Sequence, residues 1–233
     1  MSAEHTATEQ QIETMFDRIA PRYDFLNRLL SARQDQRWRR QMMRRVPYRP
    51  AGTFVDVATG TGDVLLAATK RRREYETFVG IDISKEMLAK ARTKLPANTT
   101  LYQRSAESLE LPDATADCLT ISFGLRNVID RARALREFHR TLKMGGRLMI
   151  LEFFLPERGI GAWLFQLYFH HILPAIGGVF SDRKAYQYLP QSVSTFYSAA
   201  ALREELYNVG FRVEEEKRFL FGACRLFVAD KSS

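Results

Sequence analysis

The sequence predicts a doubly wound α/β protein with a seven-stranded, mostly parallel sheet, and three observations carry that expectation. Apolar runs of strand length alternate with helix-period segments from residue 53 to residue 153. The first strand runs into a glycine turn, "VDVATGTGDVL" over residues 55–65, that opens directly into a helix. The chain closes on two β-rich segments spaced closely enough for an antiparallel hairpin.

Taken in order, residues 10–45 place Ile12, Met15, Phe16 and Ile19, then Phe25, Leu26, Leu29 and Leu30, at helical spacing broken by Pro21, which makes a helical preamble. The strand "TFVDVA" follows, then a helix from Asp63 to about Arg73, the strand "TFVGIDI", a helix from Lys85 to Lys94 and the short strand "TLYQRS". The strand "DCLTISF", the helix "RARALREFHRTLK" and the strand "RLMILEF" continue the alternation. The near-continuous apolar character of these strands fits a sheet covered on both faces. A helix over "SAAALREELYNVG" precedes the closing strands "FRVEEEKRF" and "ACRLFVADK". Residues 155–195 leave the pattern and are expected to be an insertion over the carboxyl edge of the sheet, where open α/β sheets bind ligands. The expectation is one domain over 1–233, with 1–50 as its helical N-terminal extension.

The bulk properties narrow the classes. With 45% hydrophobic and 27% charged residues in 233, the composition is that of a globular protein with a full core. Cys118 and Cys224 sit in apolar runs and are expected as packed thiols rather than a disulfide or nucleophile. The start "MSAEHTATEQQIETMF" lacks a basic segment leading into an apolar one, so a cytoplasmic location is expected. The charge-free stretch from Gly159 to Phe180 approaches the length of a membrane span. Gln166, His170, His171, Pro174 and several glycines suit a buried or interfacial segment better. A net charge of +8 favours anionic partners, nucleic acid and anionic membrane among them.

The glycine turn holds Gly60 and Gly62, but Leu65 stands where a dinucleotide fingerprint has its third glycine, and no Gly-Lys-Ser/Thr loop for a nucleoside triphosphate occurs. Asp82 ends the second strand 22 residues after Gly60, close to the spacing at which a carboxylate reaches a ribose diol. Asp56 adds negative charge beside the turn, which repels phosphates and attracts a sulfonium or ammonium group. Together these favour S-adenosylmethionine.

The motifs "VDVATGTGD", "GIDIS", "SAESLELPDATADCLTISFGLRN" and "RTLKMGGRLMILEF" resemble those of class I S-adenosylmethionine-dependent methyltransferases, whose sheet is Rossmann-like. More narrowly, "YDFLNRLLSARQDQRW", "ISFGLRNV" and "YQYLPQSVSTF" are similar to the ubiquinone/menaquinone biosynthesis C-methyltransferases, a likeness running from about Met15 to Lys231. The resemblance implies that Thr61 and Asp82 contact the cofactor, that Ser105 and Ala106 flank the adenine where the family has Asn-Ala, and that Ser122 follows on the fourth strand. With the residues of the turn, the expected cofactor set is Asp56, Gly60, Thr61, Gly62, Asp82, Ser105, Ala106 and Ser122; no metal site is expected. The sequence departs from the family at Leu26, at Asp35 where a histidine is usual, and at Phe154 where a small hydroxyl residue usually follows Glu152.

The implied reaction is C-methylation of a prenylated quinol, demethylmenaquinol to menaquinol, with S-adenosylmethionine as donor; a dual-substrate enzyme that also takes the ubiquinol precursor is the alternative. Arg126 and Asn127, just past the fourth strand, are the catalytic candidates, Arg126 as an electrostatic anchor for a phenolate. The competing structural role for Arg126 is a loop cap through a carboxylate such as Asp130. His170 and His171 are alternative bases, and Tyr23, Asp24, Asn27 and Tyr188 are candidate borders of the site. A nucleic-acid methyltransferase is disfavoured because no Pro-Pro loop follows the fourth strand, and a non-catalytic cofactor-binding module is the remaining class. Weak peripheral contact with the inner face of the cell membrane is expected from the aromatic insertion and from Arg39, Arg40, Arg44, Arg45 and Arg71–Arg73. A homodimer is an open expectation.

Overall fold

The computed structural model describes residues 8–31, 33–156 and 191–232. Three N-terminal helices, α1 (Glu9–Ile19), α2 (Tyr23–Leu30) and α3 (Gln34–Met43), precede the sheet, and Pro21 sits in the 3₁₀ turn that separates the first two. The alternation then runs β1 (Gly52–Val57), α4 (Asp63–Arg71), β2 (Tyr75–Asp82), α5 (Lys85–Lys94), β3 (Thr100–Gln103), β4 (Ala116–Ser122), α6 (Arg131–Thr141) and β5 (Leu142–Phe153). It closes with α7 (Ala199–Val209), β6 (Phe211–Phe219) and β7 (Cys224–Lys231).

The sheet order is β3-β2-β1-β4-β5-β7-β6, with β7 antiparallel to both its neighbours and every other pair parallel. The expected doubly wound sheet with a C-terminal hairpin is present. Alternation along each strand divides the core between the two faces. Val55, Val57, Leu119, Ile121, Leu148 and Ile150 pack against α6 and α7 through Leu135, Phe138, Leu202 and Leu206. Phe54, Cys118, Met149 and Leu151 face α3, α4 and α5 through Trp38, Met42, Leu65 and Ala91. Both cysteines are fully buried free thiols, as their apolar surroundings require.

Local chemistry sets the helix starts. Ser84, Asp130 and Ser198 accept backbone N–H groups at the N-termini of α5, α6 and α7, and Thr8 forms a capping box with Gln11 on α1. Asp35, one of the departures from the family pattern, is buried on α3, where it accepts from Ser31 and pairs with Arg39. Phe154, another, is a core residue against Phe196 and Phe227 with the Arg225 guanidinium over its ring. The insertion lies almost wholly outside the described residues, and His170, His171 and Tyr188 lie there with it. Among the described residues no helix is long and apolar enough to cross a membrane.

Candidate active site

The crossovers from β1 and β4 leave the sheet on opposite sides, which opens a crevice at the carboxyl ends of these strands. The chain after β1 turns through three left-handed residues at alternate positions: Ala58 (φ 50°), Gly60 (φ 55°) and Gly62 (φ 81°). The turn therefore begins two residues earlier than its glycines suggest. Ala58 adopts a conformation that ordinarily costs a residue with a Cβ about 1–2 kcal/mol. Its Cβ leaves no room for another side chain opposite, since a Cβ on Gly124 would lie 2.5 Å from it. Gly62 is held to glycine both by its φ and by Leu95 and Ala91, 3.0 and 3.1 Å from where a Cβ would stand. Around Gly60 the space is open except for Tyr23.

Two buried carboxylates brace this turn from different sides. Asp82 accepts the Gly60 N–H through Oδ2 at 2.7 Å and the Ser84 N–H through Oδ1 at 2.9 Å. Burial pushes its pKa up to about 6, against the lowering effect of those N–H donors. Asp56 lies beneath the turn, where it accepts the hydroxyls of Thr59 at 2.7 Å and Thr120 at 2.6 Å. Its burial is complete enough to push it up to about 7.

A cleft of about 680 Å³, its open mouth included, lies above the turn. Its floor is built from successive strand ends: Ala58 and Gly60 after β1, Asp82 and Ile83 after β2, Arg104 to Glu107 after β3, and Ser122 to Gly124 with Asn127 after β4. Glu9, Ile12, Phe16 and Tyr23 form a roof from the N-terminal helices. Of the candidates from sequence, the cleft brings together Gly60, Asp82, Ser105, Ala106, Ser122 and Asn127. Asp56, Thr61, Gly62 and Arg126 are not among its lining residues.

The positions of those four have physical reasons. Asp56 serves the underside of the turn. Gly62 begins α4 and packs against α5. The Thr61 hydroxyl donates to Asp24 at 2.5 Å and accepts from Lys94 at 3.0 Å. Arg126 donates through Nη1 to Glu152 and to the Phe123 carbonyl, both at 2.6 Å, and its backbone N–H reaches the second Glu152 oxygen at 3.3 Å. The carboxylate partner is thus Glu152 on β5, whereas Asp130 caps α6. Among the described residues, Arg126 Nε and Asn127 Oδ1 are buried polar atoms without a hydrogen-bond partner. Asn127 is the one of the two residues that lines the cleft.

The sequence also left an ionic chain unread. Lys94 on α5 pairs with Asp24 on α2 and with Asp63 on α4, and Arg39 on α3 joins Asp63 to Asp35. Burial opposes ionisation of Asp24, but the hydrogen bonds from Lys94 and Thr61 prevail and hold its carboxyl below the usual range. Asp17 on α1 adds a second tie by accepting from Ser84 Oγ at 2.5 Å and Glu86 N–H at 3.2 Å. The preamble is therefore fastened to the glycine turn and to the start of α5. Ile12 and Phe16 show the helical spacing of a packing face in the sequence; that the face roofs a cleft depends on these ties. The side chain of Asn27 lies outside the described ones.

An open sheet in this order, a left-handed turn after β1 and an acid closing β2 above one cleft define a class I S-adenosylmethionine-dependent methyltransferase, with S-adenosylmethionine as methyl donor. The fold is shared with a solved S-adenosylmethionine-dependent methyltransferase from Aquifex aeolicus at TM-score 0.61 and 20% identity, over 83% of this chain and 89% of that one. The model of the ubiE/COQ5 methyltransferase family matches residues 4–231, and the chain belongs to that family. It is 41% identical over 231 residues to the ubiquinone/menaquinone biosynthesis C-methyltransferase UbiE of Geotalea uraniireducens, covering 97% of this chain and 98% of the relative. It is also 41% identical over 221 residues to the demethylmenaquinone methyltransferase of Thermus thermophilus, covering 93% and 100%.

Proposed function

We propose that this enzyme C-methylates a prenylated quinol, converting demethylmenaquinol to menaquinol with S-adenosylmethionine as donor. The observation that carries the proposal is the meeting of Asp82 and Asn127 in one cleft, in a chain that matches quinone C-methyltransferases along nearly its whole length. Asp82 has lone pairs left for a ribose diol after its two backbone bonds, and Ser105 and Ala106 stand beside it to border an adenine. The donor supplies an electrophilic methyl group on a sulfonium.

The chain's own contribution is placement, exclusion of water and management of one hydroxyl proton. Asn127 Oδ1, buried and unpartnered among the described residues, is suited to accept a quinol O–H. Loss of that proton to water drives electron density into the ring, whose carbon takes the methyl as the donor's sulfur leaves as a neutral thioether; the ring carbon then loses its own proton to restore aromaticity and the oxygen is reprotonated, so one proton is released per turnover. Arg126 is neutralised by Glu152 and does not line the cleft, so its role is to hold the Phe123–Asn127 loop rather than to act as a base. Residues 155–195 are taken as the cover of the substrate side of a single domain, and the inner membrane surface as the place where the tail is met.

The test is incubation of the pure protein with methyl-labelled S-adenosylmethionine and reduced demethylmenaquinone, beside the demethylated ubiquinol precursor. Label in menaquinone alone is expected. Label in both quinones replaces the proposal with the dual-substrate enzyme, and saturable donor binding without product in either removes it.

A further inference from the structure

The turn between β6 and β7 does two things that folding does not ask of it. Leu220 and Phe221 sit at φ 47° and 54°, followed by Gly222 at 94°, so two bulky side chains occupy left-handed positions that Gly and Asn fill at least cost. Both are also turned to solvent, Leu220 48% and Phe221 74% exposed. Conformation and solvation alike disfavour Leu-Phe here, and backbone strain kept at an exposed tip is grounds for looking for a function.

The surroundings indicate what the tip meets. Phe154 N–H bonds the Ala223 carbonyl at 3.0 Å, so Leu155, 47% exposed, leaves the sheet beside the tip and extends the apolar patch. Behind it, the exposed Arg203 and Arg218 both pair with the one carboxylate of Glu216, which the buried Arg225 also reaches, so a single negative charge stands against two surface guanidinium groups. Arg203 and Arg218 bring their charge to the surface, with side chains 51% and 67% exposed. An apolar tip collared by exposed guanidinium groups matches an anionic bilayer, whose acyl region takes the side chains and whose headgroups take the charge. The β7 end that carries the tip lies two strand positions from the end of β4 and its Ser122–Gly124 cleft floor, about 10 Å across the carboxyl edge.

We infer that the β6–β7 tip, through Leu220 and Phe221, is a membrane-insertion element that docks the carboxyl edge of the sheet onto anionic lipid. Its purpose rests on the quinol-methylating reading, because a tail held in the bilayer would then lie beside the cleft; its test does not. The full chain and its Leu220→Asn/Phe221→Gly variant are floated with vesicles of phosphatidylcholine containing about one quarter phosphatidylglycerol, with no donor or quinol present. The wild type is expected to float and the variant to partition at least tenfold less, since each exposed side chain contributes roughly a decade when buried in lipid. The variant should also melt higher than wild type, because its residues suit the left-handed turn. Arg203→Gln and Arg218→Gln should each weaken binding to these vesicles about fivefold and leave that to neutral vesicles unchanged.

Equal flotation of wild type and variant, or no flotation of the wild type, overturns the inference. So does a tip-dependent dimer in sedimentation velocity without vesicle binding, which would make the patch a contact between copies. Methyl transfer to a dispersed short-tailed quinol should be the same in both proteins. Its absence in both would remove the proposed reaction and leave the membrane element standing.

Discussion

Replacing Asp82 by Asn keeps the shape of the side chain and removes the charge on which donor binding is argued to depend. The Gly60 and Ser84 N–H groups occupy one lone pair on each oxygen and leave one on each for the two hydroxyls of a ribose. A hydrogen bond to a charged acceptor contributes about 1.5–3 kcal/mol and one between neutral groups about 0.5–1.5, and Asn also turns an acceptor into a donor facing a backbone N–H. The expected loss is about 3 kcal/mol, roughly a hundredfold in Kd. The proton provides a second reading. Burial lifts Asp82 to about 6, so in the free chain it takes up a proton as the pH falls below that value and must lose it to accept both hydroxyls. Wild-type affinity should then fall about tenfold between pH 7 and pH 5, and the Asn variant should not follow that slope. Isothermal calorimetry with S-adenosylmethionine over this range, alongside thermal melting to establish an intact fold, measures both. A variant within threefold of wild type, or one that keeps the pH slope, refutes the reasoning.

Asp56 is raised to about 7 by burial, so between about pH 4 and 7 the unfolded chain releases a proton that the native state keeps, and stability falls as pH rises. Asp56→Asn should accordingly melt roughly 5 °C or more above wild type near pH 8 and close to it near pH 4, by circular dichroism. Asn127→Ala should lower kcat about a hundredfold while donor Kd stays within twofold, because it removes an unpartnered acceptor on a residue that lines the cleft; steady-state kinetics beside calorimetry separate the two. Lys94→Met leaves Asp24 and Asp63 facing each other without their shared cation, so donor Kd should rise about fivefold, and the wild-type Kd should move the same way with added salt; fluorescence titration at two ionic strengths checks it.

The sheet was legible in the sequence because its evidence is local. Strand and helix segments are recorded by periods of two and 3.6 residues, caps such as Ser84 and Ser198 lie within three residues of the N–H groups they accept, and Asp82 is the last residue of an apolar run. The left-handed Ala58 escaped because an alanine gives no sign of its φ, nor of the close approach by which its Cβ keeps position 124 to glycine. Glu152 escaped as the partner of Arg126, from which it is 26 residues distant in sequence, and the clamp of Asp24 on Thr61 and Lys94 spans 37 and 70. These pairs meet because neighbouring strands and the helices over them bring distant residues to one edge of the sheet, and which charge then neutralises which depends on separations of a few ångströms that only packing sets. The sequence by itself determined the order of elements, the two-faced core and the strand ends on which a donor site would lie. The tertiary structure decided which residues face the cleft, that Asp56 lies beneath the turn, and that Arg126 is a paired charge rather than a free one.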